Sequence, residues 1–282
     1  MNHNDKVVLI TGAANGIGAQ LTPKLAAEGA KLALADIDET NLNAFADELA
    51  NAGDRPLTAV LDVSDGDALE AFAASVYDAY GRVDYCFANA GVISIGSVWG
   101  TPKADWDWLW QTNTMGPVNT IRAFIPRMIE QPEESHFITT ASIAGLLTVE
   151  NSPAYVASKF ASLSLTEVLE LQLQQQNAKV RAHAICPAIV KSDLLNCARH
   201  RRPGTWDPTD PYYRSDDFRM RAAAAAGSME SMGMPTEQAV DCIVKAVDDG
   251  VFYILTHPAY NPAILGRVQG VISGARPTLV QR

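Results

Sequence analysis

The chain has 282 residues, 48% hydrophobic and 19% charged, and its 22 Lys and Arg face 32 Asp and Glu for a formal net charge of −10. That acidic balance excludes the broad positive field of a general nucleic-acid binder, and the length suffices to bury a core without disulfides or metals. Cys86, Cys186, Cys197 and Cys242 show no CxxC spacing, no apolar run reaches membrane-spanning length, and a polar start leads straight into a strand. A cytoplasmic protein with no structural metal, no membrane partner and no nucleic-acid partner is therefore expected.

Short β-branched runs alternate with longer amphipathic ones. Residues 7–10 read as a buried strand, followed by a glycine-rich turn and a helix to about Glu28. Residues 31–36 form the next strand and 39–50 carry helical spacing. Further strands are predicted at 57–61, 83–88, 136–140, 180–186 and 251–256, and helices at 65–80, 105–131, 154–177 and 235–249. This alternation predicts an α/β fold, a doubly wound parallel sheet of Rossmann type with helices on both faces. No linker divides the chain, so residues 1–282 are expected to form a single domain.

One segment breaks the pattern. Residues 192–234 hold Pro203, Pro208, Pro211, Trp206, Tyr212 and Tyr213, then the run Ala222 to Ala226. The prolines forbid a continuous helix in the first half, whereas the alanines favour one in the second. A substrate lid is the expected role, since long irregular insertions in compact domains are usually functional. Arg199, His200, Arg201 and Arg202, followed by Pro203 and Gly204, read as a solvated loop, with contact to a phosphate as the alternative. The end of the chain, 257–282, carries Ile264, Leu265, Val268, Val271 and Ile272, suited to a helix packed on the body or on a neighbouring subunit.

Thr11, Gly12, Asn15, Gly16, Ile17 and Gly18 lie between a strand and a helix, where glycines let the backbone turn tightly and approach a pyrophosphate at the helix N-terminus. Asp36 ends the second strand, where a carboxylate takes both hydroxyls of an adenosine ribose and repels a 2′-phosphate, favouring NAD over NADP. Its plain alternative is to cap the helix near Glu39. Ile37 flanks that acid; Asp62 and Val63 follow the third strand, with Asp62 either facing the adenine or capping the next helix. Asn89, Ala90 and Gly91 end the fourth strand with small residues that permit close approach to the cofactor.

Tyr155 and Lys159 are four apart in a helical segment and project from one face. An ammonium there stabilises the phenolate and draws a pKa near 10 toward the working range. Ser142, 13 residues before Tyr155, stands at the carboxyl edge of the sheet, where open α/β sheets bind ligands. With these residues the chain resembles the short-chain dehydrogenases/reductases, whose motifs are TGxxxGxG, NAG, a catalytic Asn, Ser, YxxxK and a PG turn. The resemblance covers about 5–192 and the strand near 251–256. It implies that Tyr155 is the general acid/base, that Ser142 orients the substrate oxygen, and that Lys159 lowers the Tyr155 pKa and bonds the nicotinamide ribose. It also implies that Asn113 holds a water in a proton relay, and that Thr11, Ile17, Asp62, Asn89, Ala90 and the backbone of Ile189 contact the cofactor. Pro187-Ala188 departs from the usual Pro-Gly, and Ser192 stands where a Thr commonly bonds the carboxamide.

The expected reaction moves a hydride between NAD(H) and a secondary alcohol or ketone. Ile93, Ile95, Ala144 to Leu146 and the lid aromatics Trp206, Tyr212, Tyr213 and Phe218 are the expected pocket walls, which favour a bulky apolar or aromatic substrate. Residues 187–203 and 253–260 are also similar to enzymes that oxidise the benzylic alcohol of lignin-derived aryl ethers. An NADPH-dependent carbonyl reductase and a non-catalytic dinucleotide-binding sensor are the alternatives. The resemblance further implies a homodimer or homotetramer built through the long helices, with Leu163, Leu165, Val168 and Leu169 available on 154–177.

Overall fold

Apolar runs flanked by helices become strands that bury both faces. In a computed structural model describing residues 3–53 and 55–279, β1 (Val7–Thr11) is buried at every position and β2 (Lys31–Asp36) at all but the first. Met1, Asn2, Asp54, Val280, Gln281 and Arg282 lie outside the described residues, with those parts of the expected domain and final helix. The other strands are β3 (Leu57–Val60), β4 (Tyr85–Ala88), β5 (Ser135–Thr140), β6 (Val180–Ile185) and β7 (Tyr253–Ile254). Among the described residues they form one parallel sheet of order β3-β2-β1-β4-β5-β6-β7.

Alternation along the strands divides the core between the two faces. Val7 and Leu9 join one cluster with Leu69, Phe72 and Val76 of α3 (Gly66–Tyr80) and Phe124 and Met128 of α5 (Gly116–Glu130). Val8 and Ile10 join the other, with Leu21 and Leu25 of α1 (Gly16–Ala27) and Val240, Ile243 and Val247 of α8 (Thr236–Asp248). Their period of two is what a strand covered on both faces requires. Leu42 of α2 (Glu39–Ala52) completes the second layer. β1 lies between β2 and β4, so the chain reverses its winding there and opens a crevice at the carboxyl edge.

The predicted strand 83–88 begins later, at Tyr85. Asp84 instead turns its carboxylate to the Val7 amide at 2.8 Å and to Lys6 and Arg82, closing the amino edge of the sheet. The predicted helix 105–131 is three pieces: α4 (Lys103–Trp110), a π-helical turn (Gln111–Met115) and α5. α6 (Pro153–Gln175) follows β5, and α7 (Asp216–Met232) contains the alanine run.

The segment 192–234 is tied at its base by a parallel bridge between Val190 and Met234, with the Lys191 amide donating to Met234 O at 2.8 Å. Two 3₁₀ turns, Leu194–His200 and Pro211–Arg214, precede α7, so the proline-rich half is irregular as its composition predicts. α9 (Asn261–Ser273) narrows one expectation: none of its residues is buried, and Leu265, Val268, Val271 and Ile272 are exposed, which leaves the neighbouring subunit and not the body as the surface they would pack on. Arg267 over the Phe160 ring, 4.8 Å from its centroid, is a contact it makes with α6. Leu163 and Leu169 are likewise buried inside the protein and unavailable for pairing, whereas Val168 is exposed. Among the described residues no helix is long and apolar enough to cross a membrane, and no cluster of His, Cys, Asp or Glu is placed to hold a metal.

Candidate active site

A cavity of about 370 Å³ runs along the carboxyl edge of the sheet, from the ends of β2 and β3 to the start of α6. The glycine turn forms its floor. Gly12 takes φ +65°, and a Cβ there would come within 2.7 Å of Ala90 Cα. A Cβ on Gly18 would fall 2.0 Å from the Gly12 carbonyl, so the turn packs only without side chains. Asn15, Gly16 and Ile17 line the cavity at the N-terminus of α1, whose free amides and dipole suit an anion. Thr11 and Gly18 stand behind this wall. Thr11 Oγ1 accepts from the Asn89 and Ala90 amides at 3.1 and 3.2 Å, locking β1 to the end of β4.

Asp36 is buried and braces the turn from the side, accepting from the Ala14 amide at 2.8 Å and the Asp38 amide at 2.9 Å. It does not cap the following helix; Asp38 does, accepting from the Asn41 amide. Burial pushes the Asp36 pKa up, against those two backbone hydrogen bonds. A carboxylate has about four lone-pair sites, so two amides leave acceptor capacity for ribose hydroxyls. Ile37 and Val63 line the same end, and Asp62 joins them. Asp62 does not cap α3 either: it accepts from the Ser64 amide at 2.8 Å, while Asp65 caps the helix. The glycine cradle, helix N-terminus and buried acid fit a dinucleotide.

At the other end Ser142, Tyr155 and Lys159 converge. Ser142 caps a short 3₁₀ turn, accepting from the Ala144 amide at 3.1 Å, and its hydroxyl hydrogen-bonds Tyr155. Lys159 is buried; its Nζ donates to Thr140 O at 2.7 Å and lies 5.6 Å from the Tyr155 ring centroid. Burial pushes the Tyr155 phenol up, opposed by the Ser142 hydrogen bond, and pushes Lys159 down to about 8. The expected downward pull of Lys159 on Tyr155 is thus not the dominant effect in the protein alone; removal of both groups from water is. At neutral pH Lys159 still holds its proton mainly, so an ammonium faces the phenol.

Asn113 lies in the π-helical turn and is buried outside the cavity. Its Oδ1 accepts from the Val92 amide at 2.8 Å, and its Nδ2 donates to Val92 O and Ser158 Oγ. The side chain pins the strand end after β4 to α6. Asn89, Ala90 and Gly91 line the cavity between the two ends, and a Cβ on Gly91 would lie 3.3 Å from Lys159 Nζ. Pro187, Ala188, Ile189 and Ser192 form the far wall, where Pro187 O accepts from Ser142 Oγ at 3.3 Å and from the Ile143 amide.

Several pocket walls differ from the sequence expectation. Ile93, Ile95 and Ala144 line the cavity as expected, but Leu146 packs against Ala141, Leu163 and Cys186, and Leu147 takes its place. Trp206, Tyr212, Tyr213 and Phe218 do not reach the cavity; they pack edge to face on one another at 5.5 to 5.7 Å. Leu194, Leu195, Ala225 and Met229 reach it from the cover instead, with Trp108 from α4 and Tyr260. Helical spacing marks α7 without saying which face turns inward. Cys197, its thiol pushed up to about 11 by burial, exchanges hydrogen bonds with the Ile93 backbone and ties cover to wall.

The basic cluster is the other correction. Arg201 is 4% exposed and pairs with Asp105, 1% exposed, at 2.5 Å, and Tyr213 donates to the same carboxylate oxygen at 2.6 Å. Its guanidinium lies 4.1 Å from the Trp108 ring and 4.6 Å from Trp206, which explains why Nε and one Nη have no hydrogen-bond partner. Arg199 and His200 line the cavity, while Arg199 and Arg202 keep the exposure expected of a solvated loop.

The sequence model of the short chain dehydrogenases matches residues 6–203. A CLA biosynthesis dehydrogenase/reductase of Lactiplantibacillus plantarum is 36% identical over 273 residues, 97% of this chain and 95% of that protein. A C alpha-dehydrogenase of a Sphingobium species is 29% identical over 275 residues, 97% of this chain and 87% of the relative. Among solved structures, a short chain dehydrogenase/reductase of Burkholderia phymatum in complex with NAD superposes with a TM-score of 0.95 at 32% identity, over 100% of this chain and 99% of that one. The apo form of LigD from Sphingobium gives 0.76 at 25% identity, over 98% and 99%. Matched motifs, parallel sheet and site geometry agree: this chain is an oxidoreductase of the short chain dehydrogenase family.

Proposed function

We propose that the protein is an NAD-dependent alcohol dehydrogenase that interconverts a secondary alcohol bearing a bulky apolar group and its ketone. The observation that carries this is the meeting of Ser142, Tyr155 and Lys159 at the catalytic end of a cavity whose far walls are Ile93, Ile95, Leu147, Leu195 and Met229. Gly12, Asn15, Gly16 and Asp36 hold the dinucleotide along the floor. Bound there, NAD supplies the hydride acceptor. A structure in complex with NAD among the similar proteins supports that choice, as does the negative charge of the Asp36 carboxylate, which repels a 2′-phosphate.

Ser142 donates to the substrate oxygen and holds it against Tyr155. Tyr155 removes the hydroxyl proton in oxidation and returns it in reduction. Lys159 faces the phenol as an ammonium, so loss of the Tyr155 proton creates a compensated pair instead of an isolated buried charge. The Asn113 side chain is already engaged by Val92 and Ser158, so it serves to position the segment after β4 against α6. Residues 192–234 act as the lid over the alcohol, and exposed Val168, Leu265 and Ile272 support assembly with identical chains.

Absorbance of NADH formed from a panel of aliphatic, alicyclic, steroidal and aryl secondary alcohols, with NAD⁺ and NADP⁺ in parallel, tests the reading. Turnover of bulky apolar alcohols with NAD⁺ is expected. Turnover confined to short polar alcohols, or to NADP⁺, overturns it.

A further inference from the structure

Arg201 is accounted for by its latch to Asp105, but its neighbours are not. Arg199 Nη2 donates to Asn15 Oδ1 at 3.1 Å, beside the turn after β1. His200 Nε2 lies 3.6 Å from Asp38 Oδ2, just past β2, and is buried without a hydrogen-bond partner. Arg202 Nε meets Asp62 Oδ2 at 2.7 Å, just past β3, and its Nη2 reaches Ser64 Oγ. Arg199, His200 and Arg202 therefore span the ends of β1, β2 and β3, which form the adenosine half of the trough. Arg199 and His200 face into the cavity, and Asp36 lines the same end.

We propose that residues 199–202 are a clamp on the adenosine diphosphate half of the cofactor. Arg199 supplies a cation to the diphosphate beside Asn15 and Gly16, and His200 offers its ring nitrogen to the adenosine ribose opposite Asp36. Arg199 also pairs with Asp193 and donates to Asn196 O; five N–H donors in a planar fork let it keep such partners while meeting a phosphate. Arg202 braces the strap through Asp62, and Arg201 anchors it to α4. The same segment walls the alcohol end through Leu194, Leu195 and Met229, so one cover closes over both ligands. The inference rests on the NAD reading above and adds residues to it that no glycine or acid motif marks.

Titration calorimetry with ADP-ribose, adenosine and NMN on the wild type, Arg199→Gln and His200→Ala tests the clamp. Arg199→Gln is expected to weaken ADP-ribose about tenfold and leave adenosine within about twofold, since a charge-assisted hydrogen bond to phosphate is lost. His200→Ala is expected to weaken both adenosine-bearing ligands about threefold to fivefold, the scale of one ordinary hydrogen bond. NMN affinity stays unchanged in both, which also verifies that the site is folded. Arg199→Lys, which keeps the charge, restores part of the ADP-ribose affinity. Variants that bind ADP-ribose and adenosine as the wild type does overturn the clamp. A wild type that binds none of the three ligands overturns the NAD reading itself, a different result. If either variant fails to bind NMN, Arg199→Lys and His200→Gln carry the same comparison.

Discussion

The floor of the cavity and its cover are built on different principles. The floor is anchored on backbone amides close to the strands: Gly12 packs against Ala90, and the Asp36 carboxylate and the Thr11 hydroxyl each hold two amides. Each contact joins strands already fixed by the sheet. Above the backbone bridge at its base, the cover, residues 192–234, is held by side chains: Arg201 on Asp105 between two indoles, Tyr212 on the Ile95 carbonyl, and Cys197 on the Ile93 backbone. Backbone contacts within a sheet yield only when the sheet does. Side-chain latches can open one at a time, which is what a surface that admits and releases substrate needs.

The largest expected effect lies on the floor. Tyr155→Phe should lower turnover by about 10²–10⁴-fold, the range of a lost general acid/base, while NADH binding persists. Stopped-flow turnover and NADH titration together check this; activity within tenfold of wild type, a bound set by the same range, removes Tyr155 from its role.

On the cover, Arg201→Met leaves Asp105 buried with an uncompensated charge, a change that costs about 3–5 kcal/mol when it cannot be relieved. If the cover opens independently of the floor, the cost shows as faster amide exchange in 192–234 while the sheet keeps its protection. A loss of protection across β1, β4 and β5 as well would mean that cover and floor unfold together, and the distinction drawn here would fail. The double variant Arg201→Met with Asp105→Leu should recover most of the stability, because removing both charges avoids the unpaired one.

The floor also carries a pH signature. Burial holds the Lys159 pKa at about 8 against 10.5 for an exposed lysine. Between those values the unfolded chain holds a proton that the folded one has released, so stability rises with pH there, and the full burden is present below about 8. Lys159→Met should therefore gain stability on the wild type at pH 7, by at most about 3 kcal/mol, less the lost hydrogen bond to Thr140. The advantage should shrink as pH rises toward 10, which denaturant melts across that range would reveal; a pH-independent difference would mean that Lys159 is not a charged group taken out of water.

The smallest expected effect is on cofactor choice. Asp36→Ala should weaken NAD about tenfold and narrow the preference over NADP, since it removes a ribose acceptor and the repulsion of a 2′-phosphate. An unchanged ratio of the two affinities would leave Asp36 as a brace for the Ala14 amide alone.

Much of the floor was legible because its signals are local. Thr11 through Gly18 announce a turn in which Gly12 and Gly18 admit no Cβ, and Asp36 follows at the end of the next strand. Tyr155 and Lys159 share a helix face through their spacing alone, and alternating strand and helix patterns suffice for a parallel sheet. Strand ends such as Val83 and Asp84 were less legible, since Asp84 leaves the ladder to serve Val7 and Arg82 from distant parts of the chain.

What only the tertiary structure decided is where long-range partners stand. Nothing near Arg201 in the chain reveals Asp105 and Trp108, nearly a hundred residues away, so a run of four basic residues reads as solvated until the fold buries one and turns two into the cavity. The aromatics of the cover look like pocket walls by composition, yet they pack edge to face on each other, an arrangement that no spacing in the chain announces. Sequence by itself determined the fold class, the glycine turn with its acid, and the shared helix face of Tyr155 and Lys159, because short spacings and backbone sterics encode them. The tertiary structure decided how the cover is latched and which of its residues face the ligands, because those depend on contacts between segments whose spacing carries no periodic signal.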